Sequence, residues 1–270
     1  MAIPKPAKGS AALVTGASSG IGADIARSLA GRGHDLVLVA RREERLAELA
    51  RELADAHGVG AEAIAVDLQT KAGRKRLLAA VEKLGRRVDV LVNNAGFGTA
   101  GLFQRLDGER EAELVRLNCE VVVALCGSYV PAMVERGGGA VLNVASTAAF
   151  QPLPTQASYS ASKAFVLNFT QALAADLHGT GVTATVLCPG PVRTEFVEVA
   201  GMEREASLLP RFAWVSSPDV AEAGVQGLER GRGVVIPGAL NRATSIGGHY
   251  TPRSLLLGLG RRVYRTGDSR

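Results

Sequence analysis

Residues 11–40, AALVTGASSGIGADIARSLAGRGHDLVLVA, decide the fold of this chain. The apolar run Ala11–Thr15 predicts a β-strand, and the glycine-containing turn after it leads into a helix. A second run, Asp35–Ala40, is apolar at nearly every position, which is typical of a strand covered on both faces of a parallel sheet. The stretch therefore predicts a strand, a crossover helix and a parallel neighbouring strand.

The same alternation of short β-branched runs and amphipathic helices continues along the chain. Glu43–His57 is the clearest helix, because its leucines recur at three- and four-residue spacing. The further predicted strands are Ala61–Val66, Asp89–Asn93, Gly139–Ala145, Val182–Leu187 and Gly233–Ile236. This order predicts an α/β fold: a doubly wound, Rossmann-type, seven-stranded parallel sheet with helices on both faces.

The alternation runs without a linker, so we predict a single domain over residues 1–240. Its cofactor half covers about residues 10–145, and its catalytic and substrate half about 146–240. A long helix is expected from about 111 to 136. Pro131 should kink that helix, because proline lacks a backbone N–H.

The composition is that of a globular protein. The 270 residues are 47% hydrophobic and 21% charged, which excludes a disordered chain. Six arginines and one aspartate in residues 241–270 account for the net charge of +5, so the body is neutral and is not expected to bind nucleic acid. Three cysteines are too few for a disulfide framework or a zinc site, and we predict no metal. The N-terminus lacks an apolar signal segment, so the expected location is the cytoplasm.

The turn after the first predicted strand, Thr15–Gly22, is suited to binding an anion. Glycines let the backbone approach a ligand closely, and the start of the next helix presents free N–H groups. Glycines also cluster at turns that bind nothing. The position of this motif between the first strand and the first helix nevertheless predicts a dinucleotide site.

The end of the second predicted strand indicates which dinucleotide is bound. An NAD-specific enzyme would carry a carboxylate there to bind the ribose 2′-hydroxyl. Here Arg41 and Arg42 follow the strand, and guanidinium groups are better partners for a 2′-phosphate. The alternative is that both are solvated residues at the start of the next helix. We predict NADP(H).

Tyr159 and Lys163 are four residues apart in a predicted helix, so they share one face. A phenol has a pKa of about 10, too high for ready proton exchange at neutral pH. A neighbouring ammonium would stabilise the phenolate and lower that pKa, which would make the tyrosine a usable general acid or base.

Several motifs occur together in one order: TGASSGIG at 15–22, NNAG at 93–96, Asn118, Ser146, YSASK at 159–163 and PGPVRT at 189–194. The ordered set resembles the short-chain dehydrogenase/reductase family, in its NADP(H)-preferring members, over about residues 10–240. The resemblance implies a catalytic tetrad of Asn118, Ser146, Tyr159 and Lys163.

The resemblance also implies the role of each tetrad residue. Ser146 would bind the substrate oxygen and stabilise its developing negative charge. Tyr159 would deliver a proton while hydride passes from the nicotinamide, and Lys163 would hold the nicotinamide ribose and lower the tyrosine pKa. Asn118 would anchor a water molecule that relays protons to Lys163.

The remaining motifs would surround the cofactor. The residues that the resemblance and the arginine argument assign to cofactor binding are Gly16, Ser18, Ser19, Gly20, Ile21, Gly22, Arg41, Arg42, Asp67, Leu68, Asn94, Ala95, Gly96, Tyr159, Lys163, Pro189, Gly190, Val192 and Thr194.

Substrate contacts are expected in loops beyond the carboxyl ends of the strands. The candidates are Phe97, Ser146, Phe150, Tyr159, Phe196 and Trp214. Residues 195–215 have an apolar composition that suits either a lid over an apolar substrate or packing onto the body or a second subunit.

The basic tail, 241–270, is expected to pack on the body or on a neighbouring subunit. Contact with a membrane surface or an acidic carrier is the less favoured alternative, because Gly258 and Gly260 weaken a helix and anchoring takes a second signal. The helices at 111–136 and 156–178 resemble the family's association helices, which implies a homodimer or homotetramer.

These observations predict an NADP(H)-dependent oxidoreductase that interconverts a carbonyl group and an alcohol on an apolar small molecule. A 3-oxoacyl reductase of fatty-acid or polyketide metabolism is the nearest alternative, although NNAG continues here into the apolar stretch Phe97–Phe103. An alternative of another class is a non-enzymatic NADP(H) sensor or scaffold.

Overall fold

The computed structural model describes residues 3–201 and 213–258. Positions 202–212 of the predicted lid at 195–215 lie outside the described residues. They include Met202, Leu208, Leu209 and Phe212. So does the end of the basic tail, residues 259–270.

Seven strands form one parallel sheet in the order β3-β2-β1-β4-β5-β6-β7. The strands are β1 Ser10–Thr15, β2 Leu36–Ala40, β3 Ala61–Ala65, β4 Arg87–Asn93, β5 Gly139–Val144, β6 Val182–Leu187 and β7 Val234–Val235. Every residue of β1 and of β5 is buried, as expected of strands covered on both faces. The predicted doubly wound fold is confirmed.

Helices cover both faces of the sheet. They are α1 Gly20–Ala30, α2 Glu43–His57, α3 Lys71–Lys83, α4 Gly108–Val115, α5 Val121–Glu135, α6 Ala157–Asp176, α7 Glu195–Val199, α8 Ser217–Glu229 and α9 Ala239–Tyr250. Side chains of α1, α2 and α8 form the core on one face, and those of α3, α5 and α6 form it on the other.

The strand order reverses beside β1, because the chain first builds outward through β2 and β3 and then returns to add β4 on the other side. The loops that leave β1 and β4 therefore diverge to opposite faces, and a crevice opens at the carboxyl edge between them. This topology places the predicted glycine loop and the NNAG motif side by side.

The long helix expected at 111–136 is observed at Gly108–Glu135, interrupted by a π-helical turn at Arg116–Glu120 that the sequence analysis did not predict. Within the described part of the chain it is the one helix long and apolar enough to cross a membrane by length and composition. Leu125 and Met133 on this helix are buried against the sheet, so it serves as a core helix here.

The predicted boundary at residue 240 falls inside α9. Asn241 is buried, and its Nδ2 donates to the carbonyl oxygens of Ala213 and Pro237, both at 3.3 Å. The start of the predicted tail therefore packs on the body in this structure, beside the loop that follows β6.

Candidate active site

A cleft of about 800 Å³ opens at the carboxyl edge of the sheet. The predicted cofactor residues that line it are Gly16, Ser18, Ser19, Gly20, Ile21, Arg41, Arg42, Asp67, Leu68, Asn94, Ala95, Gly96, Tyr159, Lys163, Pro189, Gly190, Val192 and Thr194. The topology thus brings together side chains that are far apart in sequence, while Gly22 lies beneath the cleft rather than on its wall.

The glycine loop between β1 and α1 needs glycine at two of its positions. Gly16 has a φ of +68° and Gly20 a φ of +55°, in the left-handed region that glycine adopts without strain. Ser19 begins α1 without a side-chain capping bond, so the first N–H groups of the helix remain available to an anion at the cleft. The loop therefore fits a dinucleotide pyrophosphate.

Gly22 is required for the packing of this loop. A Cβ atom at that position would collide with the Gly16 carbonyl oxygen and with the Asn94 side-chain amide. We expect Gly22→Ala to lower the free energy of unfolding by about 2 kcal/mol, since the added methyl group meets backbone that cannot move aside cheaply. Urea denaturation measures the change.

Gly127→Ala in α5 is the matched control, because a Cβ there meets nothing within 4 Å. It should leave the free energy of unfolding unchanged or raise it, since alanine favours the helix. If Gly22→Ala were as stable as Gly127→Ala, the packing argument for the loop would be wrong.

A threonine that the sequence analysis did not single out anchors the loop to β4. Thr15 Oγ1 donates to the Val92 carbonyl at 3.2 Å and accepts from the backbone N–H groups of Asn94 and Ala95, both at 3.0 Å. Asn94 Nδ2 donates back to the Thr15 carbonyl at 3.0 Å. These bonds hold the ends of β1 and β4 at one spacing, which keeps the floor of the cleft rigid.

Positive charge gathers at the β2 end of the cleft. Arg41 is exposed at its edge, and Arg42 reaches across to the glycine loop. Arg42 Nη2 donates to Ser18 Oγ at 3.0 Å and to Ser19 Oγ at 2.6 Å. The two arginines therefore flank the loop rather than projecting from an unrelated surface.

Tyr159 and Lys163 line the opposite end of the cleft, and Ser146 lies between the lining residues Ala145 and Thr147 without lining the cleft itself. Ser146 follows β5, and its Oγ accepts from the Ala148 N–H at 3.1 Å, which orients the hydroxyl. The Ser146 hydroxyl donates to the Pro189 carbonyl at 3.5 Å and lies close enough to the Tyr159 phenol to lower the pKa of that phenol. Lys163, one turn further along α6, is buried, and its Nζ lies 5.8 Å from the centre of the Tyr159 ring.

The pKa values differ from the expectation for this pair. Burial raises the pKa of Tyr159 to about 12, and the neighbouring Ser146 hydroxyl offsets only part of that rise. Burial also lowers the pKa of Lys163 to about 8. Lys163 Nζ donates to the Val144 carbonyl at 3.0 Å, and the lowering of the tyrosine pKa expected from the lysine is not seen, because desolvation of the phenol has the largest effect on that pKa.

Asn118 lies in the π-helical turn and is buried beneath the cleft. Its Nδ2 donates to the Phe97 carbonyl and to Ser162 Oγ, both at 3.0 Å, and its Oδ1 accepts from the Phe97 N–H at 3.2 Å. The side chain thus joins the loop after β4 to α6. Its predicted role in anchoring a water molecule stays a prediction.

The substrate side of the cleft is apolar. Phe97, Phe196 and Trp214 line it, and the Phe196 ring centre lies 5.6 Å from that of Tyr159. Phe150 is not brought to this cleft: it lines a second cavity on the other side of the loop after β5, because the short helical turn at Thr147–Phe150 directs it there.

The cleft is also lined by residues that the sequence analysis did not predict. Arg110 of α4 places its guanidinium carbon 3.9 Å from the centre of the Phe97 ring. Leu240, Thr244 and Ser245 come from α9, and the sequence analysis assigned the last two of them to the tail. No motif marks these positions, because they reach the cleft only through tertiary packing.

Among the described residues, no three His, Cys, Asp or Glu side chains group as metal ligands. The thiols of Cys119, Cys126 and Cys188 are free. Burial raises the pKa of Cys126 and of Cys188 to about 12, so these two thiols are poor nucleophiles at neutral pH.

A family model described as short chain dehydrogenase matches residues 10–205. The chain is 38% identical over 190 residues to a short chain dehydrogenase of Pseudocercospora fijiensis, a match that covers 70% of this chain and 61% of that protein, less than two thirds of its length.

Two solved structures are similar to this one. A short-chain dehydrogenase from Sphingobium yanoikuyae in complex with NADPH is 33% identical, with a TM-score of 0.79, covering 97% of this chain and 96% of the other. A variant of actinorhodin polyketide ketoreductase with NADPH is also 33% identical, with a TM-score of 0.75, covering 86% and 96%.

Proposed function

This chain belongs to the short-chain dehydrogenase/reductase family, and from that premise we propose that it is an oxidoreductase that uses NADP(H) to interconvert a carbonyl group and an alcohol on an apolar substrate. One observation carries the proposal. Tyr159 and Lys163 line one end of a cleft whose other end holds the glycine loop and Arg42, and the Ser146 hydroxyl lies beside Tyr159.

The residues present fit NADP(H). The free N–H groups at the start of α1 would hold the pyrophosphate, and Arg41 with Arg42 would hold the 2′-phosphate. Both solved structures compared above contain NADPH, which supports this choice. When bound, the cofactor supplies or accepts the hydride at its nicotinamide ring.

The chain itself supplies the proton and the stabilisation of charge. Ser146 Oγ, oriented by the Ala148 N–H, would donate a hydrogen bond to the carbonyl oxygen as negative charge develops on it. Tyr159 would give its phenolic proton to the same oxygen in reduction and take it back in oxidation. Its raised pKa makes it a donor that is fully protonated at neutral pH.

Lys163 is the group that would return a proton to the Tyr159 phenol after the phenol has donated its own. Its pKa of about 8 lies near neutrality, so it is able both to donate and to accept a proton under ordinary conditions. Its Nζ is fixed by the Val144 carbonyl beside Tyr159, and we place it as the group that re-supplies the phenol.

The substrate is proposed to be apolar near its carbonyl group. Phe97, Phe196 and Trp214 form the wall beside Tyr159, and an apolar ligand would bury that surface. A 3-oxoacyl or polyketide substrate is the second candidate, favoured by the similarity to the polyketide ketoreductase. Arg110 at the cleft would then offer a cation to a polar end of such a substrate.

Self-association is part of the proposal. The described helices α4–α5 and α6 expose Val115, Val123 and Phe165, apolar side chains that a second copy of the chain would cover. Phe165 stacks on Phe169 with ring centres 6.0 Å apart. The homodimer or homotetramer and the cytoplasmic location stay predictions.

Thermal denaturation with each cofactor tests the cofactor choice. At equal concentrations, NADPH should raise the Tm by roughly 4 °C or more beyond NADH, because only NADPH offers a 2′-phosphate to Arg41 and Arg42. Loss of NADPH absorbance with a panel of apolar ketones and aldehydes then tests the reaction. A larger shift with NADH would overturn the cofactor assignment.

A further inference from the structure

A carboxylate bridges the arginines beside the glycine loop. Glu195, the first residue of α7, accepts from Arg42 Nη1 at 2.8 Å through one oxygen and from Arg45 Nη1 at 2.6 Å through the other. Since 150 positions separate Arg45 from Glu195 in sequence, only the fold brings them together.

Arg42 connects this carboxylate to the proposed phosphate-binding loop. While its Nη1 binds Glu195, its Nε and Nη2 donate to Ser18 Oγ at 3.1 and 3.0 Å. Any anion that enters the cleft beside Ser18 therefore meets a guanidinium group that already has an anionic partner. The pair is exposed, so the exchange of one anion for another needs no opening of the core.

The two anions differ in strength as partners. Arg42 and Arg45 hold the pKa of Glu195 at about 2, so this carboxylate is ionised throughout the range of enzyme assays. A phosphate monoester carries up to two negative charges and three acceptor oxygens, and it is the stronger partner for paired guanidinium groups. A 2′-hydroxyl is neutral and offers no such exchange.

We propose that Glu195 is a specificity-determining residue for the cofactor, because its carboxylate competes with the 2′-phosphate of NADP(H) for Arg42, the arginine that both lines the cleft and binds Glu195. This inference rests on the proposed function. Binding of NADP(H) displaces Glu195 from Arg42, whereas NAD(H) leaves that ion pair intact.

Glu195 also lies in the helix that lines the substrate side of the cleft. Glu195 begins α7, and the next residues, Phe196 and Val197, line the cleft. The centre of the Phe196 ring lies 5.6 Å from that of the Tyr159 ring, so Glu195 and the aromatic wall beside the catalytic tyrosine belong to the same short helix.

Isothermal titration of the full chain with NADPH and with NADH tests the proposal without any turnover. Glu195→Gln keeps the shape of the side chain but removes the competing charge, so the Kd for NADPH should fall about five-fold while the Kd for NADH stays unchanged. Glu198→Gln is the matched control, since it removes one charge from an exposed position of the same helix. It should change neither Kd by more than about two-fold.

Each result has a definite reading. The proposed competition is wrong, and the proposed function stands, in either of two cases. In the first, the wild type binds NADPH and Glu195→Gln binds it no more tightly. In the second, Glu195→Gln lowers the Kd for NADPH and for NADH by the same factor. If the wild type fails to bind NADPH at all, both the proposed function and this inference are overturned.

Discussion

Replacing Tyr159 by phenylalanine is expected to lower kcat by about 10²- to 10⁴-fold, because the phenol is the proposed proton donor to the substrate oxygen. The ring and its contact with Phe196 remain, so apolar packing at the site is retained. The Kd for NADPH should therefore change little. Steady-state reduction of a responsive ketone measures kcat, and titration calorimetry measures the Kd.

Tyr129→Phe is the matched control for this substitution. Tyr129 is also largely buried, but its hydroxyl has no hydrogen-bond partner among the described residues and lies outside the cleft. Its removal should leave kcat unchanged. Equal rates in Tyr159→Phe and Tyr129→Phe would remove Tyr159 as the acid, and the reaction would need a different proton source.

Lys163→Met is expected to affect activity and stability in opposite directions. Activity should fall by about 100-fold or more, because the group that re-supplies the phenol is lost. Without added cofactor, however, the variant should be more stable than the wild type at pH 7. Burial lowers the pKa of Lys163 from 10.5 to about 8, which means that keeping it charged in the folded protein costs about 3 kcal/mol.

Part of this gain is lost with the hydrogen bond from Lys163 to the Val144 carbonyl, which contributes about 1 kcal/mol. The net increase in the free energy of unfolding at pH 7 is therefore about 2 kcal/mol. Denaturation in urea of the wild type and of Lys163→Met measures this difference.

The difference should depend on pH in a definite direction. Between about pH 8 and 10.5, the folded wild type has lost the Lys163 proton while the unfolded chain still binds it. Because the unfolded state then binds more protons, this lysine makes wild-type stability rise with pH in that window. The advantage of Lys163→Met should accordingly shrink from pH 7 to pH 10. A constant or growing advantage would contradict the buried, costly ammonium.

The strands and most helices could be predicted because their signals are local. The apolar runs 11–15 and 182–187 mark strands covered on both faces, and the leucine spacing in Glu43–His57 marks one buried helical face. The π-helical turn at Arg116–Glu120 could not be predicted in this way. Its backbone hydrogen bonds span one residue more than those of an α-helix, and no residue type specifies that shift.

In the candidate site, too, the local geometry could be predicted from the sequence and the effects of packing could not. Tyr159 and Lys163 are one turn apart, so their proximity follows from helix geometry alone. Their pKa values do not, because the desolvation of each group depends on everything that packs around it. Phe150 shows the same limit: its position after β5 suggested the cleft, but the turn that contains it directs it to another cavity.

By itself the sequence determined the doubly wound sheet, the glycine loop at its switch point and the order of the catalytic motifs. Each of these is recognised from short stretches of sequence, because the apolar runs and the motifs are local patterns. Only the tertiary structure decided that Glu195 lies between Arg42 and Arg45, and that α9 closes one wall of the cleft. These contacts join segments far apart in sequence. They depend on how the packed layers align, and that alignment leaves no periodic pattern along the chain.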